Sequence, residues 1–543
     1  MAHFGGQVPG RLPVTRCINN KRFYMNQERV SGILLHPTSL PGPDGIGDLG
    51  PEAYHWLDFL HETGTQLWQV LPLGPTGYGD SPYQCFSAVA GNPYLVSPLL
   101  LLEEGLLHFS DISDRPSFPV ETVDFGPAII WKTTLLDRAF EHFYEEKPVD
   151  IVREFDEFRQ KQSGWLDDFS LFMAIKEEQQ GQPWNLWPKP LKTRDPEALA
   201  SARSLLASKI VKHQFNQFLF YRQWLRLRGY AHSLGIRIIG DMPFVIAFDS
   251  ADLWSEPSLF LMDADLNPTF VAGVPPDYFS ADGQLWGNPL YKWEAHRAQG
   301  YQWWIKRLSA VLELVDIVRM DHFRGFAAAW HVPAGNTTAR DGKWIESPGM
   351  ELFQTFKAHF PEMPIIAEDL GVITDDVVRL RDGYNLPGMK ILQFGFTGDP
   401  EDDFLPHHYP ANCFAYTGSH DNNTALGWYH NATPREKAFC LRYLHSIEDE
   451  VVWSMLLAVW RSNAVNVVAP MQDLLGLGAY ARMNLPGSQS GNWAWRMKLD
   501  ALSDDVLYKL KELNYLYSRL SQEQKDENTR KLNEELEGTV KPH

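Results

Sequence analysis

Eight short apolar runs, each finishing in a cluster of Gly, Pro or polar residues, are what most restricts the fold open to this chain. They cover residues 32–36, 67–73, 236–244, 315–320, 364–367, 389–394, 413–417 and 465–470. Runs that are apolar throughout, rather than alternating, read as strands covered on both faces, as in a parallel sheet. Helical patterns lie between them, for example at 53–62, 213–234, 302–314, 349–359 and 434–461. Strand alternating with helix predicts an α/β fold. Eight such strands match a (β/α)8 TIM barrel. The runs are unevenly spaced, with roughly 165 residues between the second and third and roughly 70 between the third and fourth. Simple turns do not absorb that much chain, so both stretches are expected to be insertions on the loop face. The first, about 75–232, is helix-rich and aromatic. The second, about 245–300, is dense in Asp, Pro, Gly and aromatics and reads as an ordered loop over the barrel mouth.

The expected organisation is therefore a barrel over 28–505 with these inserted subdomains, followed by a helix and a charged tail over 506–543. Residues 1–27 carry Arg11, Arg16, Lys21 and Arg22 and no acid before Glu28. We read them as a disordered extension of a cytoplasmic protein. Their loose likeness to an organelle transit peptide leaves a plastid location open.

Composition excludes several functions. A net charge of −19 argues against a nucleic-acid partner, because phosphate binding needs a basic surface. No apolar run reaches the ~20 residues of a membrane helix. The four cysteines form no CxxC pair, so neither a disulfide framework nor a zinc motif follows from them. No GxGxxG follows a strand, no GxSxG is present, and neither HExxH nor EF-hand spacing occurs. No cofactor and no catalytic metal is expected, although Asp241, Asp249 and Asp252 cluster after the third run as hard-cation ligands do. Oligomeric state is not legible.

Three runs lead into carboxylates: Asp321, Glu368 and Asp421. In a parallel barrel the C-terminal strand ends converge on one mouth, so acids about fifty residues apart in sequence can meet. Converging carboxylates repel, and one is then held protonated, which places an acid and a base in one pocket. Glycosyl transfer uses such a pair, and retention of configuration follows when the two lie about 5 Å apart. Helix capping is the competing use of an acid at a strand end. Arg319, His322 and His420 stand beside these acids. A buried cation suits a nucleophilic carboxylate, and His420 could bond a sugar hydroxyl. The nineteen tryptophans are mostly core residues on this reading, but Trp254, Trp286, Trp344 and Trp493 fall in Gly/Pro-rich loops. There an indole offers a flat apolar face to a pyranose.

The motifs around these residues resemble the 4-α-glucanotransferases called amylomaltases or disproportionating enzymes, glycoside hydrolase family 77. The likeness runs from about Ser31 to Arg496. It rests on Gly-Ile-Leu-Leu-His-Pro-Thr-Ser-Leu-Pro at 32–41, Gly-Asp-Ser-Pro-Tyr-Gln at 79–84 and Gly-Asp-Met-Pro-Phe at 240–244. It continues through Gly-Val-Pro-Pro-Asp-Tyr-Phe-Ser at 273–280, Gly-Gln-Leu-Trp-Gly-Asn-Pro at 283–289 and Arg-Met-Asp-His-Phe-Arg-Gly-Phe at 319–326. Ile-Ala-Glu-Asp-Leu-Gly at 366–371, Thr-Gly-Ser-His-Asp at 417–421 and Ala-Arg-Met-Asn-Leu-Pro-Gly at 481–487 complete it. Ala-Phe-Asp-Ser at 247–250 departs from the family pattern without touching a catalytic position.

The resemblance implies a TIM barrel and a retaining double displacement on α-1,4-glucans and maltooligosaccharides, with glucose among the acceptors. It implies Asp321 as nucleophile, Glu368 as general acid/base and Asp421 as the residue that holds ring hydroxyls and stabilises the transition state. Arg319, Asp241, Tyr83, His322 and His420 would line the reacting sugar. Gln284, Trp286 and the Asp277-Tyr278-Phe279 segment would cover the cleft, with Ser81 and Asn484 as further contacts. A hydrolase on the same barrel and a non-catalytic glucan-binding barrel are the alternatives.

Overall fold

The computed structural model describes residues 28–276, 281–488 and 490–539. The expected extension at 1–27 and the residues Asp277, Tyr278 and Phe279 lie outside the described residues. In chain order the strands are β1 (Val30–Leu34), β2 (Leu67–Gln69), β3 (Arg237–Met242), β4 (Phe270–Val274), β5 (Gln284–Pro289) and β6 (Ile317–Met320). After these come β7 (Ala328–Pro333), β8 (Lys343–Glu346), β9 (Ile365–Ala367), β10 (Gly388–Ile391), β11 (Cys413–Tyr416) and β12 (Asn466–Pro470).

Eight of these make one sheet in the order β10-β11-β12-β1-β2-β3-β6-β9. Every ladder in it is parallel. β9 and β10 meet at the remaining seam, where Ala367 N–H donates to the Pro387 carbonyl at 2.9 Å. Beyond it the Asp369 carboxylate takes the Met389 N–H at 2.8 Å, in place of a ladder carbonyl. The sheet is thus a nearly closed ring, and the expected barrel is the observed one. Each of the eight apolar runs supplies one barrel strand. Val318, Ile366, Val467 and Val468 are fully buried, as strands covered on both faces require. Gly240 in β3 is needed for close approach, since a Cβ there would lie 2.7 Å from Val315.

Between β2 and β3 the chain builds a helical layer, whose longest members are Phe125–Glu146, Val149–Glu178 and Ala207–Ser233. Its core is aromatic; Phe143 and Phe215 stack at 4.5 Å. The last of these helices returns to the barrel, where Trp224 packs on Trp68 of β2 and donates its indole N–H to the Leu314 carbonyl.

Two expectations need correction. The stretch after β3 is not simply a loop: β4 and β5 join β7 and β8 in an antiparallel sheet of order β5-β4-β7-β8. The helix read across 434–461 is two helices, Pro434–Leu444 and Val451–Arg461, because His445 adopts a left-handed conformation at φ 52°. No helix among the described residues is long and apolar enough to cross a membrane.

After the barrel come the helices Asp504–Leu516 and Gln522–Thr539. Between them Arg519 is fully buried. Its guanidinium donates to the carbonyls of Val30, Trp460, Ala464 and Val465 at 2.9–3.0 Å. The C-terminal segment is thereby sewn to the N-terminal ends of β1 and β12.

Candidate active site

Asp241 of β3 and Arg319 of β6 are register partners across a parallel ladder, so their side chains leave the sheet at the same level. Arg319 Nη1 donates to Asp241 Oδ2 at 2.6 Å and to Asp321 Oδ1 at 3.0 Å. One guanidinium therefore bridges two carboxylates of different standing. Asp241 is fully buried in its side chain, whereas that of Asp321 is 26% exposed and open to a ligand. Burial pushes the Asp241 carboxyl up, against the pull of Arg319 and the Tyr83 hydroxyl. Despite its own burial, Arg319 is held well above its ordinary value by the acids around it.

Glu368 follows β9 directly. Its two oxygens accept backbone N–H groups, Oε2 from His322 at 2.7 Å and Oε1 from Leu370 at 3.0 Å. His322 N–H belongs to the residue after Asp321, so this bond ties the two acids to one piece of backbone. Burial pushes the Glu368 carboxyl up to about 8, and the neighbouring Asp321 charge adds to this, against the pull of Arg319 and the two N–H groups. The result is a carboxyl that keeps its proton at neutral pH. His322 is pushed the other way by burial, down to about 4, so its ring is neutral.

Asp421, at the end of the β11 loop, faces these residues with its side chain 42% exposed. Asn484 Nδ2 donates to its Oδ1 at 2.6 Å, and His420 Nε2 lies 3.5 Å from its Oδ2. Arg482 braces the same corner: its guanidinium donates to the Asp421 and Asn484 carbonyls at 2.5 and 2.6 Å. Arg482 escaped the sequence reading, although its place two residues before Asn484 in the 481–487 motif was a usable signal.

Tyr83 joins the two halves. Its hydroxyl donates to Asp241 Oδ2 at 3.1 Å and lies 2.8 Å from His420 Nε2. Its ring stacks on His420 at 5.3 Å, and Trp493 packs against both rings. Ser81 Oγ accepts the Tyr83 N–H at 3.2 Å and so shapes the turn that presents the tyrosine.

None of the three acids caps a helix. The helices that follow Glu368 and Asp421, Asp375–Gly383 and Ala425–Asn431, start at Thr374 and Thr424. The short 3-10 turn after Asp321 starts at His322. The possible metal cluster is dispersed as well. Asp249 pairs with Lys176 and Asp252 accepts the Ala88 N–H, both fastening the helical layer and the β2 loop to the β3 loop.

Of the cover residues, Trp286 sits on β5 with its ring edge-on to His322 at 4.8 Å, and its indole donates to Gln284 Oε1 at 3.3 Å. Trp344 lies on β8 under the Arg324 guanidinium. Trp254 is not a loop aromatic but a fully buried core residue. It is locked by an N–H bond to the Leu191 carbonyl, because the loop around it folds into the helix Ala251–Ser255. Behind Tyr83 and Asp241 lies a mainly apolar cavity of about 60 Å³, lined among others by Leu71, Cys85, Val89, Ile246 and Val311. It is not the cleft, since none of the three acids lines it.

A barrel mouth that sets a carboxyl held neutral beside one salt-linked to a buried arginine, under an aromatic cover, defines an enzyme of glycosidic-bond chemistry. Comparison with known proteins narrows the class. The sequence profile of the family described as 4-alpha-glucanotransferase matches residues 35–501. A 4-alpha-glucanotransferase of Thermus thermophilus is 51% identical over 504 residues, 91% of this chain and all of that protein. The chloroplastic/amyloplastic 4-alpha-glucanotransferase of Oryza sativa subsp. japonica is 43% identical, covering 91% of this chain and 84% of that one. The amylomaltase of Streptococcus agalactiae, solved in complex with acarbose, superposes with a TM-score of 0.88 at 41% identity, over 91% of this chain and all of that chain. The chain belongs to the 4-alpha-glucanotransferase family, glycoside hydrolase family 77.

Proposed function

We propose that the chain transfers α-1,4-glucan segments from a donor to the 4-hydroxyl of an acceptor glucan by a retaining double displacement, with maltooligosaccharides as substrates and glucose among the acceptors. The observation that supports this most is the contrast between Asp321, paired with Arg319 and accessible, and Glu368, kept protonated beside it. Asp321 attacks the anomeric carbon while Glu368 gives its proton to the departing glycosidic oxygen. The glycosyl-enzyme forms, and Glu368, now a carboxylate, takes the proton of the incoming 4-hydroxyl as the ester to Asp321 is broken. Asp421, oriented by Asn484 and Arg482, accepts hydrogen bonds from ring hydroxyls as positive charge builds on the sugar. Tyr83, Asp241, Arg319 and His420 hold one another, and through them the reacting sugar, in fixed positions.

Transfer outruns hydrolysis only when the acceptor is bound and water is kept out. Gln284 and Trp286, with the neighbouring segment 277–279, are the residues we assign to that exclusion. Incubation with maltotriose tests the reading: glucose together with chains longer than maltotriose is the expected outcome. Shortening without any longer product would instead point to a hydrolase, and no change to a glucan-binding barrel. We take the compartment to be the cytoplasm, in keeping with the free thiols Cys85, Cys413 and Cys440. Fractionation of cells expressing the full chain tests this, and recovery in plastids would revise it.

A further inference from the structure

We propose that the helical layer carries a zinc-binding site made by His108, His142 and Glu146, separate from the reactive cleft. The residues come from two elements. His108 immediately precedes the 3-10 turn Phe109–Ile112, and His142 and Glu146 stand four residues apart at the end of the helix Phe125–Glu146, a spacing that puts both on one face. One donor atom from each residue lies within 4.8 Å of the other two. His108 Nε2 and Glu146 Oε1 are 3.4 Å apart. Two ligands each about 2.0–2.1 Å from a tetrahedral zinc ion are separated by about 3.4 Å, so this pair already has the spacing the ion imposes. The rings of His108 and His142 meet edge to face at 4.2 Å and 72°, and because Nε2 of His142 is engaged by Asp111, its Nδ1 is the atom left for the ion.

A supporting carboxylate is in place. Asp111 Oδ2 lies 2.9 Å from His142 Nε2 and also accepts the His108 backbone N–H at 2.7 Å. One acid thus orients the ring of one ligand and the backbone of another, as carboxylates behind metal-binding histidines do. Arg138 donates to the Asp111 carbonyl and pairs with Asp114, fastening the turn to the same helix. Two imidazoles and one carboxylate suit zinc and its late first-row neighbours, whereas calcium and magnesium require an all-oxygen set. Three protein ligands leave a fourth position to water.

These elements contribute no residue to the acids, the arginine or the aromatic cover of the cleft. The ion's effect is therefore structural: it staples the turn 109–112 to the helix end and, binding the folded chain in preference to the unfolded one, raises the melting temperature.

The test uses the full chain, stripped with a chelator and titrated with zinc sulfate alone by calorimetry, beside His142→Ala, Glu146→Gln and His108→Gln. One equivalent should bind. Affinity should fall at least about tenfold in either histidine variant and less in Glu146→Gln. Zinc should raise Tm by a few degrees in the parent and by less in the variants, with metal-free maltotriose turnover unchanged throughout. Cobalt(II) substitution should give the visible absorption of a four-coordinate ion, lost in His142→Ala. Absence of binding, or binding of equal strength in all four proteins, would overturn the site. Should His142→Ala fail to fold, the other two exposed-side-chain variants decide the matter by the same titration.

Discussion

The floor of the cleft and its cover are held in different ways. On the floor, Asp241 and Arg319 are set by strand register, closed off from solvent and locked to each other, to Asp321 and to Tyr83. The cover hangs on the small antiparallel sheet, whose outer strand β8 is largely exposed, and Trp286 of β5 packs its ring edge-on against the floor residue His322. A packed, charge-compensated floor fixes which groups carry protons. On the proposed reading, the cover decides what enters after the donor has reacted. Bond chemistry and choice of acceptor are then separable, and mutations should pull them apart.

The largest effect belongs to the floor. Asp321→Asn should lower kcat by about 10^4- to 10^6-fold for transfer and hydrolysis alike, measured on maltotriose with the fold checked by thermal melting. Retention of either activity would remove Asp321 from its assigned role. Glu368→Gln should cost about 10^2- to 10^4-fold. Because the Glu368 carboxyl is raised to about 8 and its protonated form is the competent acid, kcat/KM of the parent should fall as pH rises through about 8. The residual activity of the glutamine variant should lack that alkaline limb.

Smaller changes are expected away from the two acids to which the reaction is assigned. Asn484→Ala removes a 2.6 Å charge-assisted bond to Asp421. A loss of about 1.5–3 kcal/mol corresponds to roughly 10- to 100-fold in kcat, read from steady-state kinetics. Trp286→Ala should change donor consumption least, by less than about threefold, while moving products from longer chains toward hydrolysis, because thinning the lid admits water. If Trp286→Ala instead abolished both reactions, floor and cover would not be separable, and the comparison would fail.

The barrel was readable because each buried strand is a continuous apolar run, and the helices Gln302–Leu314 and Gly349–His359 keep the bounds their periodicity gives. Periodicity does not register one residue turning left-handed, which is why His445 divides a helix that reads as unbroken. The small sheet was hidden for another reason. Its strands come from two separate stretches, and β5 and β8 are mostly exposed or half-buried, so neither a continuous apolar run nor a strict alternation marks them. In the site, acids at strand ends stand out by position. That one arginine bridges Asp241 and Asp321 depends on a register across β3 and β6 that spacing alone does not reveal. Arg482 carries little signal of its own in sequence because it touches Asp421 through a backbone carbonyl, a contact blind to residue type at the far end. Trp254 reads as a loop aromatic because Gly and Pro surround it in sequence, although that stretch folds into a helix and buries it.

The buried Arg519 also has a bearing on how the molecule is made. It bonds to Val30, 489 residues earlier, and to Val465, just ahead of the strand β12 that pairs with β1. A ribosome adding about 5–20 residues per second needs roughly 25–100 s to travel between the two positions. For most of that time β1 lacks β12, its late-made neighbour, as well as the clasp, so one of its edges stands bare. The barrel can close only after most of the chain has been synthesised, and until then β1 keeps an unpaired edge of the kind that invites wrong pairing.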